Sequence, residues 1–207
     1  MKKITFGLIF IGILFTSFKI IDKIKTENLS KISVLNDSSK EKLENQVNQI
    51  RKVIQANPKY NKEIAFFIDM KIPSGKNRFF VYDLKKDTII DQGLVAHGSG
   101  SETGVQGKLK FSNTNNSLAT SLGKYYIGNS YIGRFGKAYK LYGLDKTNSN
   151  AFERAIVLHK YFDVPYEQQT DYICNSYGCP MVNEKYFKRI EKIIDNSKTN
   201  ILLVIYY

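Results

Sequence analysis

At 207 residues and 43% apolar content, the chain is long enough for one domain of ordinary size with a core that needs no covalent staples. A formal charge of +12 favours anionic partners in general, whether nucleic acid, acidic lipid or anionic wall polymer, without choosing among them. Two Cys and two His are the only Cys/His ligands for a four-ligand zinc centre, and Cys-x4-Cys is not a common structural zinc spacing, which argues against a metal site.

The N-terminus opens "MKKITFGLIFIGILFTSFK", with fifteen uncharged residues from Ile4 to Phe18 between basic ends. A helix of that length spans about 22 Å, short of the roughly 30 Å hydrocarbon core. This pattern predicts a signal peptide or short signal anchor over residues 1–21, hence export to the cell envelope, in the periplasm or on the outer face of the cytoplasmic membrane. Export argues against nucleic acid as partner and leaves the membrane as one only if the anchor stays uncleaved. Residues 22–60 read as a linker and an N-terminal helix. Leu43, Val47, Ile50 and Ile54 fall at i, i+4, i+7 and i+11, with Ser38 or Ser39 as the expected cap and Asn57-Pro58 as the stop.

From residue 61 to 207 the pattern becomes that of one β-rich domain. "EIAFFIDM", "RFFVYDL" and "TIIDQGLVAHG" are short apolar runs separated by turn residues, and predict strands in a meander. "SLGKYYIGNSYIGRFGKAYKLYGLD" continues with glycines and aromatics. "RAIVLHKYF" predicts a buried strand ending at His159. "NEKYFKRIEKIIDNS" predicts an amphipathic helix with Tyr186, Ile190, Ile193 and Ile194 as its stripe, and "NILLVIYY" a closing strand.

The chemistry concentrates in "ICNSYGCPM", which holds both cysteines, Cys174 and Cys179. A disulfide between them would close a very small loop with little entropic gain. Cys174 reads as a small buried hydrophobe. Cys179 follows Gly178 and precedes Pro180 and a helix, so it is expected at a strand-to-helix turn whose N–H groups lower a thiol pKa and hold an oxyanion. A thiol nucleophile needs a base. His159 and His97, both at strand ends, are the candidates, with His159 favoured.

With these residues in view, "RAIVLH…SYGCP" resembles the His…Ser-x-Gly-Cys signature of the YkuD-like L,D-transpeptidases, in the murein L,D-transpeptidase catalytic domain branch. The similar blocks run in order through Val95–Gly98, Phe111–Asn113, Ser121–Gly123, Gly143–Leu144, Arg154–His159 and Ser176–Pro180, within residues 62–206. The resemblance implies a mainly β, sandwich-like domain with a few flanking helices. It implies Cys179 as nucleophile and His159 as base. Ser176 and Gly178 would shape the turn, and the N–H groups of Tyr177–Cys179 would form an oxyanion hole. It implies a substrate groove drawing on His97, Ser121, Gly123, Tyr126, Tyr131, Arg134 and Arg154, with Ser112 and Ser117 as further candidates. No metal or cofactor is implied.

The implied reaction is exchange on a peptidoglycan stem tetrapeptide by a monomer. It forms a 3→3 crosslink through a thioester with loss of D-Ala, or trims the stem as an L,D-carboxypeptidase when water is the acceptor. Three positions depart from the pattern. Met181 stands where an Arg is frequent, Lys160 where Gly is common, and Asn175 where the branch often has Arg. The stem carboxylate then needs another cation, with Arg134, Lys137, Arg154 and Lys160 as candidates. A sortase also orders His before Cys, but lacks this turn and needs a following Arg. An NlpC/P60 peptidase needs a His after Cys179, and none follows. A basic envelope-binding module with an inert cysteine is the non-enzymatic alternative.

Overall fold

The computed structural model describes residues 35–207, so the expected signal or anchor lies outside the described residues. Helix α1 spans Asp37–Ala56. Its cap is Asn36, whose side-chain oxygen accepts from the Ser39 N–H at 2.8 Å, and not Ser38 or Ser39. Asn wins because its side chain reaches the orphan amide one turn on. The expected stripe of Leu43, Val47, Ile50 and Ile54 is buried. It packs on Ala65, Phe67, Phe80, Tyr82, Leu202, Val204 and Tyr206, so helix and sheet share one core. A buried aliphatic side chain contributes about 1.5–3 kcal/mol, which explains why this helix sits on the sheet instead of trailing in solvent. Among the described residues, no helix is long and apolar enough to cross a membrane.

Nine strands follow: β1 (Tyr60–Asp69), β2 (Phe79–Asp83), β3 (Thr88–Gly93), β4 (Val95–Ala96), β5 (Gly123–Gly133), β6 (Gly136–Gly143), β7 (Val157–Lys160), β8 (Met181–Val182) and β9 (Asn200–Tyr206). They form one sheet in the order β3-β2-β1-β9-β5-β6-β7-β8-β4. The meander holds for β1, β2 and β3, and β5–β6 is a hairpin. The sheet as a whole is mixed, because β1 pairs β9 and β7 pairs β8 in parallel. The two edge strands, β3 and β4, are separated in sequence by Leu94 alone. One continuous segment therefore belongs to both edges, and the sheet closes on itself around an interior.

That interior holds Phe66, Phe79, Tyr125, Leu141, Leu158 and Leu203 from the strands. It also receives helix α2 (Glu184–Asp195), capped by Asn183, through Tyr186, Phe187 and Ile190. Phe187 belongs to the buried stripe that the sequence pattern assigned to Ile193 and Ile194, which are only partly buried. The Tyr186 ring meets Phe79 edge-on at 5.4 Å and lies where a side chain at Gly93 would sit, within 2.5 Å of its Cβ. β1, β2 and β9 are apolar on both faces because one face meets this interior and the other meets α1.

Candidate functional site

Partners across a ladder share a face, and residues along a strand alternate. Tyr126 lies opposite Leu202 under α1, and also opposite Tyr142 on β6. Tyr142, Lys140 and Ala138 follow on one side of β6. Ala138 is opposite His159, and His159 is opposite Met181. The outer sheet face thus runs unbroken from the α1-covered strands to β7 and β8. There it opens into a groove of about 650 Å³.

Cys179 and His159 line this groove together. Their proximity follows from the pairing of β7 and β8, in which the His159 N–H reaches the Pro180 carbonyl at 3.4 Å. His159 is buried, and its Nδ1 lies 3.0 Å from the Lys160 carbonyl. A carbonyl only accepts, so the proton is on Nδ1 and Nε2 is the basic nitrogen. Phe135 stacks on the imidazole at 5.4 Å with planes 14° apart. Burial lowers the His159 pKa below its ordinary value, opposed by the bond to Lys160.

The Cys179 thiol accepts from the Val157 N–H at 3.5 Å and lies 3.7 Å from the Ala155 carbonyl. The expected lowering of its pKa is reversed. Burial raises it, and the Val157 N–H and the Arg154 charge pull back only in part. The reason is local geometry: the two-residue strand β8 separates Cys179 from α2, so the thiol does not sit at a helix N-terminus. Both shifts favour the neutral forms, a thiol and an imidazole. Both cysteines are free, and Cys174 packs partly buried against Leu94, Ala96, Val164, Ile173 and Met181.

The turn before Cys179 is built by contacts on all sides. Ser176 is buried, and its hydroxyl accepts from the Gly178 N–H at 3.1 Å. Gly178 has φ +116°, and a Cβ there would lie 3.0 Å from the Ala119 carbonyl oxygen. Both facts require glycine. Tyr177 is 78% exposed at the groove. Because Gly178 donates to Ser176, the N–H groups of Tyr177 and Cys179 are the ones left without a protein acceptor among the described residues. A thiol, a base and unpaired amide donors on one cavity are the groups that thioester chemistry needs.

The other expected groove residues divide. Tyr131 and Arg134 line the groove. Arg154 does not; its guanidinium clamps the loop beneath Cys179, donating to the Ser112 and Ala119 carbonyls and the Ser117 and Ser121 hydroxyls at 2.5–3.2 Å. Ser112, Ser117 and Ser121 serve that clamp. Gly123 starts β5 with φ +127°, against Asn148 and Asp145. Tyr126 stacks on Tyr142 at 4.6 Å, away from the groove. His97 lies in a second cavity of about 350 Å³ beside Arg78 and Glu102.

The cation candidates divide as sharply. Lys137 is bound to Asp195 and Glu191, and Lys160 to Glu184. Arg134, at the tip of the β5–β6 hairpin, has no acidic partner among the described residues and lies over the Phe135 ring at 5.5 Å. Sequence reasoning missed the aromatic wall of Phe135, Tyr161 and Phe162. The one local signal for it was "GRFG", an exposed aromatic and a cation on a turn between two glycines.

A cysteine and a histidine sharing a groove on a closed mixed sheet is the class that fold and geometry define. Residues 35–206 match the family described as L,D-transpeptidase catalytic domain, and the chain belongs to that family. No curated protein matches. Among solved structures, the helical cell shape determining protein Pgp2 from Campylobacter jejuni is similar at 10% identity, over 69% of this chain and 46% of that one, with a TM-score of 0.46. An L,D-transpeptidase from Xylanimonas cellulosilytica gives 12%, 70%, 61% and 0.38 in the same order. One from Mycobacterium tuberculosis gives 10%, 70%, 58% and 0.39. The chain thus spans 46–61% of the length of these three proteins.

Proposed function

We propose that this protein is a peptidoglycan L,D-transpeptidase that forms 3→3 crosslinks through a thioester on Cys179. The observation that supports the reading is the shared groove, which Cys179 lines together with a buried His159 whose free nitrogen is Nε2. His159 Nε2 takes the thiol proton as sulfur attacks the carbonyl of the third stem residue, a diamino acid at its L centre. The N–H groups of Tyr177 and Cys179 receive the developing oxyanion. The peptide bond to D-Ala breaks, and His159 returns the proton to the leaving amine. An amine of a second stem then attacks the thioester and gives its proton to His159; the C–S bond breaks, and His159 passes that proton to the sulfur to restore the free thiol and neutral imidazole. A neutral resting pair suits this sequence, since deprotonation occurs with attack and not before it.

Arg134 receives the stem carboxylate in place of the cations missing at positions 175 and 181. Its freedom from acidic partners supports that role. The protein acts as a monomer outside the cytoplasm, held or delivered by residues 1–21. The apolar run from Ile4 to Phe18 supports export.

Incubating the protein with peptidoglycan and separating the muropeptides tests the reading. Crosslinked 3→3 dimers with released D-Ala are expected. Tripeptides without dimers would mean an L,D-carboxypeptidase, and an unchanged profile would mean that the cysteine is inert.

A further inference from the structure

The segment carrying the cysteine turn is held by a chain of polar groups, buried at Arg78 and His97 and exposed at Glu102 and Asn175, that the reaction itself does not use. Arg78 is 1% exposed, and no acidic side chain among the described residues pairs with it directly. Its Nε and Nη2 donate to the Val95 carbonyl at 3.0 and 2.7 Å, and its Nη1 to the Ile72 carbonyl at 3.1 Å. Nη2 also donates to His97 Nδ1 at 2.9 Å. A guanidinium only donates, so His97 Nδ1 is an acceptor and the ring proton is on Nε2. That nitrogen donates to Glu102 Oε1 at 2.7 Å. The same oxygen accepts from Asn175 Nδ2 at 3.3 Å, and Asn175 lines the groove beside Ser176 and Cys179.

The backbone repeats the connection. The His97 carbonyl accepts from the Ser176 N–H at 2.8 Å, and the Ser176 carbonyl accepts from the Ser99 N–H at 2.8 Å. Gly98 is packed so closely that a Cβ on it would lie 2.8 Å from Gly178 Cα. Every member is oriented by its neighbour, and the chain ends on Asn175 and Ser176, which directly precede Tyr177–Cys179.

We infer that Arg78, His97, Glu102 and Asn175 form a positioning relay that sets the Asn175–Gly178 turn, and with it the amide donors beside Cys179. Arg78 fixes the tautomer of His97, His97 orients Glu102, and Glu102 holds Asn175. None of the four is a catalytic residue in this account. The role rests on the transpeptidase reading for its kinetic consequence, but not for its structural one. Burial, and then the charge of Arg78, lower the His97 pKa, in keeping with a ring that stays neutral while bonded on both nitrogens.

The test uses Glu102→Ala, Glu102→Gln, Asn175→Ala and the Glu102→Ala/Asn175→Ala double variant. With a stem tetrapeptide, Glu102→Ala and Asn175→Ala should each lower kcat about tenfold with KM within twofold. The double variant should fall no further than the worse single variant, because one bond is lost in each. Glu102→Gln keeps an acceptor oxygen and should recover kcat to within about threefold. Alkylation of Cys179 by iodoacetamide, which needs no oxyanion donors, should be unchanged in all four. Independently of any activity, amide exchange in residues 172–180 should speed up in Glu102→Ala and not in Glu102→Gln.

Unchanged kcat and unchanged exchange in Glu102→Ala would overturn the relay. So would alkylation that speeds up toward the rate of a free cysteine peptide together with a loss of kcat, which marks general misfolding. If the parent protein shows no turnover at all, the transpeptidase reading fails, and the exchange data alone still decide the relay.

Discussion

The outer face of the sheet has two halves that differ in one respect. Over β2, β1 and β9 it is covered by α1 and lined with Phe67, Phe80, Leu202 and Val204. Over β6, β7 and β8 no helix among the described residues covers it; Phe135, Tyr161 and Phe162 wall a groove there, and the same row of positions carries Ala138, His159 and Met181 beside Cys179. The backbone is continuous across both. What separates a core from a groove here is whether a helix supplies the second wall. The covered half gains stability from its apolar contacts, whereas the open half leaves a thiol and an imidazole partly desolvated by aromatic neighbours.

The contrast breaks most completely at the proposed nucleophile and base. Cys179→Ala and His159→Ala should each lower tetrapeptide turnover by at least about a thousandfold, because the two act as a unit. Circular dichroism and thermal melts should stay near those of the parent. Wild-type turnover in His159→Ala would remove His159 from the mechanism. An adduct formed with a carbapenem on Cys179→Ala, seen by intact mass, would remove Cys179.

On the covered half the expected effect is on stability alone. Ile50→Ala should cost about 2–5 kcal/mol in denaturant unfolding, since it leaves a cavity between α1 and the sheet, while kcat per folded molecule is unchanged. A chain beginning at Lys59 should expose that whole face and aggregate or melt early, whereas one beginning at Leu35 should keep turnover.

Arg134→Ala should raise KM about tenfold with little change in kcat. A stem analogue with its carboxylate amidated should show the same loss with the parent protein and no further loss with the variant. An additive loss would move the carboxylate to another cation.

The pH profile sharpens the account of the resting pair. Catalysis needs neutral His159, and burial lowers its pKa from the ordinary value of about 6.5. The acid limb of kcat/KM should therefore have its midpoint below that value, with activity held as pH falls through 6.5 and lost only further down. The raised Cys179 pKa predicts that iodoacetamide labels it more slowly than a free cysteine peptide at pH 7. A limb above 6.5, or fast labelling, would indicate a preformed thiolate–imidazolium pair. The smallest effect belongs to Cys174→Ala: about 1–2 kcal/mol or less, with turnover intact.

The sequence by itself determined the strands β1, β2 and β9 and the stripe of α1. Each of these is written in local periodicity or turn chemistry, which neighbouring residues decide among themselves. Tertiary structure alone decided that α1 and the sheet share a core, and that β3 and β4 close that sheet. It also decided that Arg154 is a clamp and Arg134 the free cation, and that His97 pairs with Arg78 and Glu102 away from the groove. The direction of the Cys179 shift belongs with these, because burial of the thiol outweighs the two groups that favour its charge. Charge pairing and desolvation depend on which distant side chains come within a few ångströms, and no spacing along the chain encodes that distance.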